Sequence, residues 1–321
     1  MNTSAAVAEK RCDERRPNMT KAIRIRKRAG AALFAAIMLA VVFTIPVGAA
    51  KYTGGSYNYN TVNAVAISDI RRADYESIRI SSSGKTLTGY LINQTTYAPV
   101  RTFFDANITS TISYTSKTRT MTVKNSAFSF SATDRANYIV ANGRYLWTDT
   151  PIIILDDGRM YAPIRLLAKT LSLVVGWDNG KRCVDTEGSV SYIKSGGSFY
   201  NTDEVYWLSR IISAESRGEP MRGKIAVGSV ILNRVRSSLY PNSIYGVIFD
   251  RKYGVQFSPV LDGSIYRTPT AESVIAAKLC LEGTSVSDDV LYFFNADVAT
   301  STWIKRTRTY AFTINNHAFY Y

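Results

Sequence analysis

The hydrophobic periodicity of this 321-residue chain changes once, near residue 202, and the change limits the folds open to it. Upstream, runs such as Ser110-Thr111-Ile112-Ser113-Tyr114 and Arg119-Thr120-Met121-Thr122-Val123 alternate at period two between turn residues, as half-buried β-strands do. Downstream, Val205, Leu208, Ile211, Ile212 and Glu215 recur at spacings of three and four, the signature of one helix face. The expectation is a multidomain chain: a mainly β (α+β) repeat domain over residues 62–188, then a mostly α domain over residues 202–321. A Gly/Ser linker at 189–201 contains Ser195-Gly196-Gly197-Ser198. The length suits two domains plus a leader.

The β region carries an internal repeat. Tyr97-Ala98-Pro99-Val100-Arg101 recurs as Tyr161-Ala162-Pro163-Ile164-Arg165, 64 residues later. A polar turn precedes each copy, and each is followed by a short helical run and then a strand bearing an aromatic, Tyr114 or Trp177. Two copies predict a pair of half-units packed together, not a solenoid, which needs three or more.

Ahead of these domains, residues 21–28 are strongly basic and run into an apolar stretch, Ala31 to Val47, that ends in Gly48-Ala49-Ala50. Residues 1–50 therefore read as a signal peptide or, since the stretch is close to bilayer-spanning length, a membrane anchor through residues 31–50. Residues 51–61 form a polar lead-in. Either reading places the rest outside the cytoplasm. The net charge of +14 suits a polyanionic partner. An exported location removes nucleic acid from that set and leaves anionic lipid and the acidic polymers of a cell wall.

Two residue counts narrow the chemistry. His317 is the only histidine, which argues against zinc-hydrolase and copper sites built on two or three imidazoles. No metal or other cofactor is expected. No G-x-S-x-G elbow accompanies His317 for a serine mechanism. Of three cysteines, Cys183 and Cys280 fall in different predicted domains, and whether they pair is left open.

Helix 202–216 is expected to start at a Thr202 or Asp203 cap and to stop before Gly218 and Pro220. Glu215 arrives at the end of its apolar stripe, where burial raises a carboxyl pKa. Glycoside cleavage needs such a group, protonated near neutral pH and able to give its proton to the leaving oxygen. The same position also fits a partner for Arg217, Arg222 or Arg234, or a solvated residue at a frayed helix end. Sugar sites combine aromatic faces with amides and hydroxyls, and Gln256, Ser258, Tyr292, Phe294 and Asn295 supply that mixture. Core packing is the competing reading for Phe257, Tyr292 and Phe293, and His317 reads as a structural histidine. Lys224, Arg234 and Arg236 are either solvated or face an acidic wall.

Two resemblances extend this reading. Residues 85–188 resemble the stalk-like amino-terminal module of copper amine oxidases, which implies a spacer or wall-associating domain without oxidase chemistry. The run Tyr206-Trp207-Leu208-Ser209-Arg210-Ile211-Ile212-Ser213-Ala214-Glu215-Ser216-Arg217-Gly218-Glu219-Pro220 resembles the cell wall hydrolase family typified by spore-cortex-lytic enzymes. Gln256-Phe257-Ser258-Pro259, Asp262-Gly263, Leu291-Tyr292-Phe293-Phe294-Asn295 and Asn316-His317-Ala318-Phe319-Tyr320 extend the likeness over residues 203–321. It implies a lysozyme-like domain cutting peptidoglycan glycan strands between N-acetylmuramic acid and N-acetylglucosamine, with Glu215 as catalytic acid. It further implies a lytic transglycosylase, in which one carboxyl acts first as acid and then as base. Hydrolysis would instead need a second carboxylate, Glu219, Asp262 or Asp297. The partners expected are peptidoglycan and accessory envelope or spore proteins. A non-catalytic wall-binding or scaffolding role is the alternative.

Overall fold

The computed structural model describes residues 71–252, 254–295 and 303–321. The leader or anchor expected at 1–50, the lead-in at 51–61 and Asp297 lie outside the described residues.

The repeat region builds two sheets. Strands β1 (Glu76–Ser82), β2 (Lys85–Ile92) and β3 (Thr95–Pro99) lead into helix α1 (Val100–Asn107). A five-stranded meander follows: β4 (Thr111–Thr115), β5 (Thr120–Lys124), β6 (Ser129–Thr133), β7 (Tyr138–Ala141) and β8 (Arg144–Trp147). The chain then returns through β9 (Ile153–Ile154), β10 (Met160–Pro163), α2 (Ile164–Thr170), β11 (Val174–Asp178) and β12 (Cys183–Glu187). The first sheet runs β11-β12-β1-β2-β3-β10-β9, with only β1 and β12 parallel.

The repeated pentapeptides meet near one edge of this sheet, where β3 pairs with β10. Ala98 faces Ala162, while Tyr97 faces Pro163 and Pro99 faces Tyr161. That reciprocal exchange is what a local two-fold axis through the alanine pair requires. Each proline then caps a helix, α1 or α2, with φ of −67° at Pro99 and −53° at Pro163, values its ring imposes. The helices bury Val100, Phe103 and Phe104 from one copy and Ile164, Leu166 and Leu167 from the other, joining Val123, Phe130, Ile139 and Leu146 of the meander in one core. The two half-units thus pack as a pair, and Tyr114 and Trp177 remain exposed on β4 and β11.

Residues 189–201 connect to the helical region in packed form. Helix α3 (Gly196–Phe199) is capped by Ser195. Gly196 is buried, donates its N–H to the Asn142 carbonyl at 2.7 Å, and lies so close to Gly143 that a Cβ on it would sit 2.5 Å from the Gly143 oxygen. Glycine here serves close backbone approach, where composition alone suggests a tether. Helix α4 (Thr202–Ser216) is capped by Asn201, whose side chain accepts from the backbone N–H groups of Asp203 and Glu204; the sequence reading placed the cap one or two residues later.

Helices α4, α5 (Met221–Arg236) and α8 (Ala271–Leu281) pack together around Leu208, Ile212, Val227, Val230 and Ala276. A Cβ at Gly228 of α5 would lie 2.6 Å from the Cys280 sulfur and 2.9 Å from Ile212, so glycine there sets the helix spacing. Shorter helices α6 (Ile244–Ile248) and α7 (Ser258–Leu261) lie between α5 and α8 in sequence. The chain ends with β13 (Tyr292–Asn295), α9 (Trp303–Thr307), β14 (Tyr310–Ile314) and β15 (His317–Tyr320), with β15 central in a three-stranded sheet. Cys183 and Cys280 are buried free thiols, and burial pushes the Cys280 thiol up to about 12. Lys224 is buried, not solvated, and pairs with Glu272 at 3.0 Å while donating to the Glu219 carbonyl.

The β and helical regions share an interface. Arg144 on β8 grips Glu282, just past α8, through two parallel bonds of 2.7 and 2.6 Å, with the side chains only 12% and 3% exposed. The Tyr200 hydroxyl donates to the same carboxylate at 2.9 Å and accepts from the Tyr145 N–H, while Phe199 lies under the Arg144 guanidinium. Tyr138, Tyr145 and Trp147 pack against the helical core. A bidentate pair this buried is costly to break from one side. Arg144→Ala is expected to lower stability by about 3–5 kcal/mol in urea unfolding, and Arg144→Met with Glu282→Leu to recover most of it. A loss below about 1 kcal/mol in the single variant would contradict this reading.

Candidate active site

Helix α4 buries Leu208, Ile211 and Ile212, and Glu215 follows on the same face, one turn beyond Ile211. Its carboxyl forms part of the wall of a cleft of about 1110 Å³. Burial there raises its pKa to about 7, the nearby Asp262 charge adds to the rise, and Arg234 opposes it. A carboxyl in that range is partly protonated at neutral pH and can serve as an acid.

All five residues expected to bind sugar come together in the cleft: Gln256, Ser258, Tyr292, Phe294 and Asn295 line it beside Glu215. They reach it from the loop before α7, the first residue of α7 and strand β13. The Gln256 amide donates to the Gly254 carbonyl at 3.1 Å. Phe294 stacks on Tyr320 with centroids 5.5 Å apart, which fixes that ring against the sheet.

Of the three second-carboxylate candidates, Asp297 lies outside the described residues, and Glu219 and Asp262 sit elsewhere. Glu219 is buried behind the cleft, where its Oε1 lies 3.1 Å from His317 Nδ1 and accepts from the Asn315 amide at 3.2 Å. A Cβ at Gly223 would come within 3.0 Å of the Glu219 side chain, so the first turn of α5 closes over it. His317 itself lines the cleft and packs on Phe293 at 5.7 Å between ring centroids. Asp262 is exposed, hydrogen-bonds to Ser264 and is held below the usual carboxylate range by those bonds; it does not line the cleft.

Asp250 and Arg308 of the cleft escaped the sequence reading, and Arg234 was named there only as a partner for Glu215 or as a solvated or wall-facing charge. Asp250 is the one carboxylate besides Glu215 that lines it among the described residues. Arg234 is buried, not solvated: its Nε donates to the Leu291 carbonyl at 2.8 Å, and its guanidinium lies 4.9 Å from the Tyr240 ring centroid and 5.6 Å from that of Tyr292. Arg308 lies 4.6 Å from the Tyr292 ring and 5.0 Å from Trp303. Arg234 Nη1 and Arg308 Nε are buried with no hydrogen-bond partner among the described residues. Buried donors of this kind stand ready for the oxygens of a bound ligand. Burial pushes the Tyr240 hydroxyl up to about 12, and its hydrogen bond to Tyr292 adds to that rise. An arginine at the end of an apolar helix carries no local sign of burial, so only the tertiary fold reveals Arg234.

Comparison with known proteins agrees with this architecture. Residues 218–320 match the family model "Cell Wall Hydrolase", and residues 83–186 match "Copper amine oxidase N-terminal domain". The first match begins three residues after Glu215, so the case for Glu215 stands on its geometry. The chain is 43% identical over 108 residues to a spore cortex-lytic enzyme of Bacillus subtilis (strain 168), covering 34% of each chain. A spore cortex-lytic enzyme of Bacillus cereus is 40% identical over 120 residues, covering 37% of this chain and 45% of the relative. The chain thus spans between a third and a half of the length of these curated relatives. A solved catalytic domain of a germination-specific lytic transglycosylase, SleB, from Bacillus anthracis is 38% identical; the match covers 40% of this chain and 100% of that one, with a TM-score of 0.35. The chain therefore carries a cell wall hydrolase domain match over residues 218–320, preceded by a copper amine oxidase N-terminal domain match over residues 83–186.

Proposed function

We propose that this chain is an exported enzyme that cleaves the glycan strand of peptidoglycan, with Glu215 as the proton donor. The observation that carries the reading is the placement of Glu215: a carboxyl in the wall of a large cleft, its pKa raised to about 7 by burial. The relatives named as spore cortex-lytic enzymes support the choice of polymer. Arginines 234 and 308 and the amides of Gln256 and Asn295 provide donors for the acetamido, hydroxyl and lactyl oxygens of amino sugars.

In the reaction, Glu215 gives its proton to the O4 oxygen of N-acetylglucosamine as the bond from that oxygen to C1 of N-acetylmuramic acid breaks. The muramic 6-hydroxyl then closes onto C1, and its proton passes to the Glu215 carboxylate, which restores the acid. The product carries a 1,6-anhydro end, and no water is consumed. A raised pKa serves both halves, since a group near pH 7 can both give and take a proton. Hydrolysis is the second reading, favoured by one observation, that Asp250 also lines the cleft. The leader, if it directs export, places the enzyme in the envelope or spore. The repeat domain then serves as a spacer.

Digestion of purified sacculi or spore cortex, with mass spectrometry of the released fragments, tests the site. Wild type is expected to yield anhydro-muramoyl ends, and Glu215→Gln to lose about 10²–10⁴ in rate. Asp250→Asn and Asp262→Asn should stay within about tenfold. Reducing ends together with collapse in Asp250→Asn would support hydrolysis, and an active Glu215→Gln would overturn the assignment.

The pH profile supplies a second test. Because the acid must start protonated, kcat/KM should fall as pH rises through about 7. The Asp262 charge raises the Glu215 pKa, so Asp262→Asn should move that falling limb to lower pH. A limb that stays in place in Asp262→Asn, or that disappears in wild type, would contradict the account.

A further inference from the structure

Five aromatic rings cluster at one end of the helical region, outside the set that lines the cleft. Trp207 of α4 is the hub, with centroids 4.9 Å from Tyr206, 5.3 Å from Tyr245, 5.1 Å from Phe249 and 6.3 Å from Tyr266. Tyr245 and Phe249 are also 4.5 Å apart. Such contacts fix the rings in place, yet Tyr206, Tyr245 and Tyr266 are 41%, 54% and 60% exposed, and Leu261, which precedes Tyr266 on the same segment, is 71% exposed. Rings serving only the core would be covered. These are held rigid and left open.

The patch is continuous with the cleft along two segments. Phe249 directly precedes Asp250, which lines the cleft. Ser258, another lining residue, begins α7, which ends at Leu261, and Tyr266 follows in the next short turn of 3-10 helix. Basic side chains lie nearby: the Arg210 guanidinium of α4 sits 3.6 Å over the Tyr206 ring, and Arg251 and Arg267, next to the two segments, are exposed. Asp250 and Asp262 are the acidic groups on the two segments, and Asp203 and Glu204 lie in the first turn of α4 before Tyr206.

We propose that Tyr206, Tyr245 and Tyr266 form a distal platform on which the glycan strand continues after it leaves the cleft. This rests on the reading of the cleft as the glycan-cleaving site. Amino sugars present apolar C–H faces that stack on aromatic rings, and the ring–ring contacts mean that little side-chain freedom is lost on binding. The flanking arginines suit the carboxylates of the stem peptides. A substrate reaching past the cleft gains from the platform, whereas one confined to the cleft does not.

The experiment uses the full-length protein in two arms. In the first, Glu215→Gln protein is titrated onto insoluble sacculi, with and without Tyr245→Ala/Tyr266→Ala; each ring removed is expected to weaken binding about two- to tenfold. Tyr245→Phe/Tyr266→Phe, which keeps the faces, should bind as the parent does. In the second, catalytically intact protein with the same alanine changes is assayed on sacculi and on a tetrasaccharide confined to the cleft. KM for sacculi should rise, while turnover of the short substrate is unchanged, which also shows that the variant is folded. Unaltered sacculus binding overturns the platform, as does an equal loss on both substrates. A shift from dimer to monomer with binding retained would assign the patch to a second copy of the chain and overturn it too. If wild type binds sacculi without cutting them and the alanine variant binds less, the platform stands and the cleavage reading falls.

Discussion

The structure turns on the cost of ionising one carboxyl. Glu215 is carried by a helix whose preceding turns are anchored in the core by Leu208, Ile211 and Ile212, so it has little freedom to withdraw into water. Burial disfavours its charged form, and the Asp262 charge acts in the same direction. Arg234 pulls the other way, but burial lowers its own pKa and its Nε is committed to the Leu291 carbonyl, so it tempers the rise without cancelling it. The balance leaves an acid poised near neutrality. Without the apolar helix the same residue would be an ordinary surface glutamate.

The rest of the helical region keeps that helix in place. Gly228 lets α5 approach Ile212 of α4 and Cys280 of α8 more closely than any side chain would permit. Glu219, His317 and Asn315 tie the start of α5 to the terminal β14–β15 hairpin, and β15 also pairs with β13, the source of Tyr292, Phe294 and Asn295. On another side, Arg144 and Tyr200 hold Glu282 just beyond α8. The repeat domain therefore braces the helical region.

What the residues reveal locally, they reveal well. The period-three-and-four stripe through Leu208 and Ile211 locates α4, and the repeated Tyr-Ala-Pro locates two equivalent strand–helix units, because both depend on neighbours in sequence. The five residues proposed to bind sugar were legible as a chemical mixture, and the fold gathers them into one cleft. Contacts between distant segments leave no such trace. Arg144 and Glu282 are separated by 138 residues, and no period links Glu219 to His317. Glu219 consequently looked like a second catalytic carboxylate when it is a buried partner of the only histidine, and Asp250, which does face the cleft, gave no signal. Glycine at 196 was ambiguous in kind: composition suggested a tether, and only the Gly143 backbone explains it.

The central claim is a protonation equilibrium, and direct titration of Glu215 tests it. Carboxyl carbons of the folded protein, labelled at glutamate, can be followed by NMR across pH 3–9, roughly the span of ordinary and raised carboxyl values, with Glu215→Gln identifying the signal that belongs to this residue. The account predicts that the missing signal titrates at about 7. A midpoint near the ordinary value of 4.5 would contradict it, because a carboxyl already ionised well below neutrality could not serve as the proton donor.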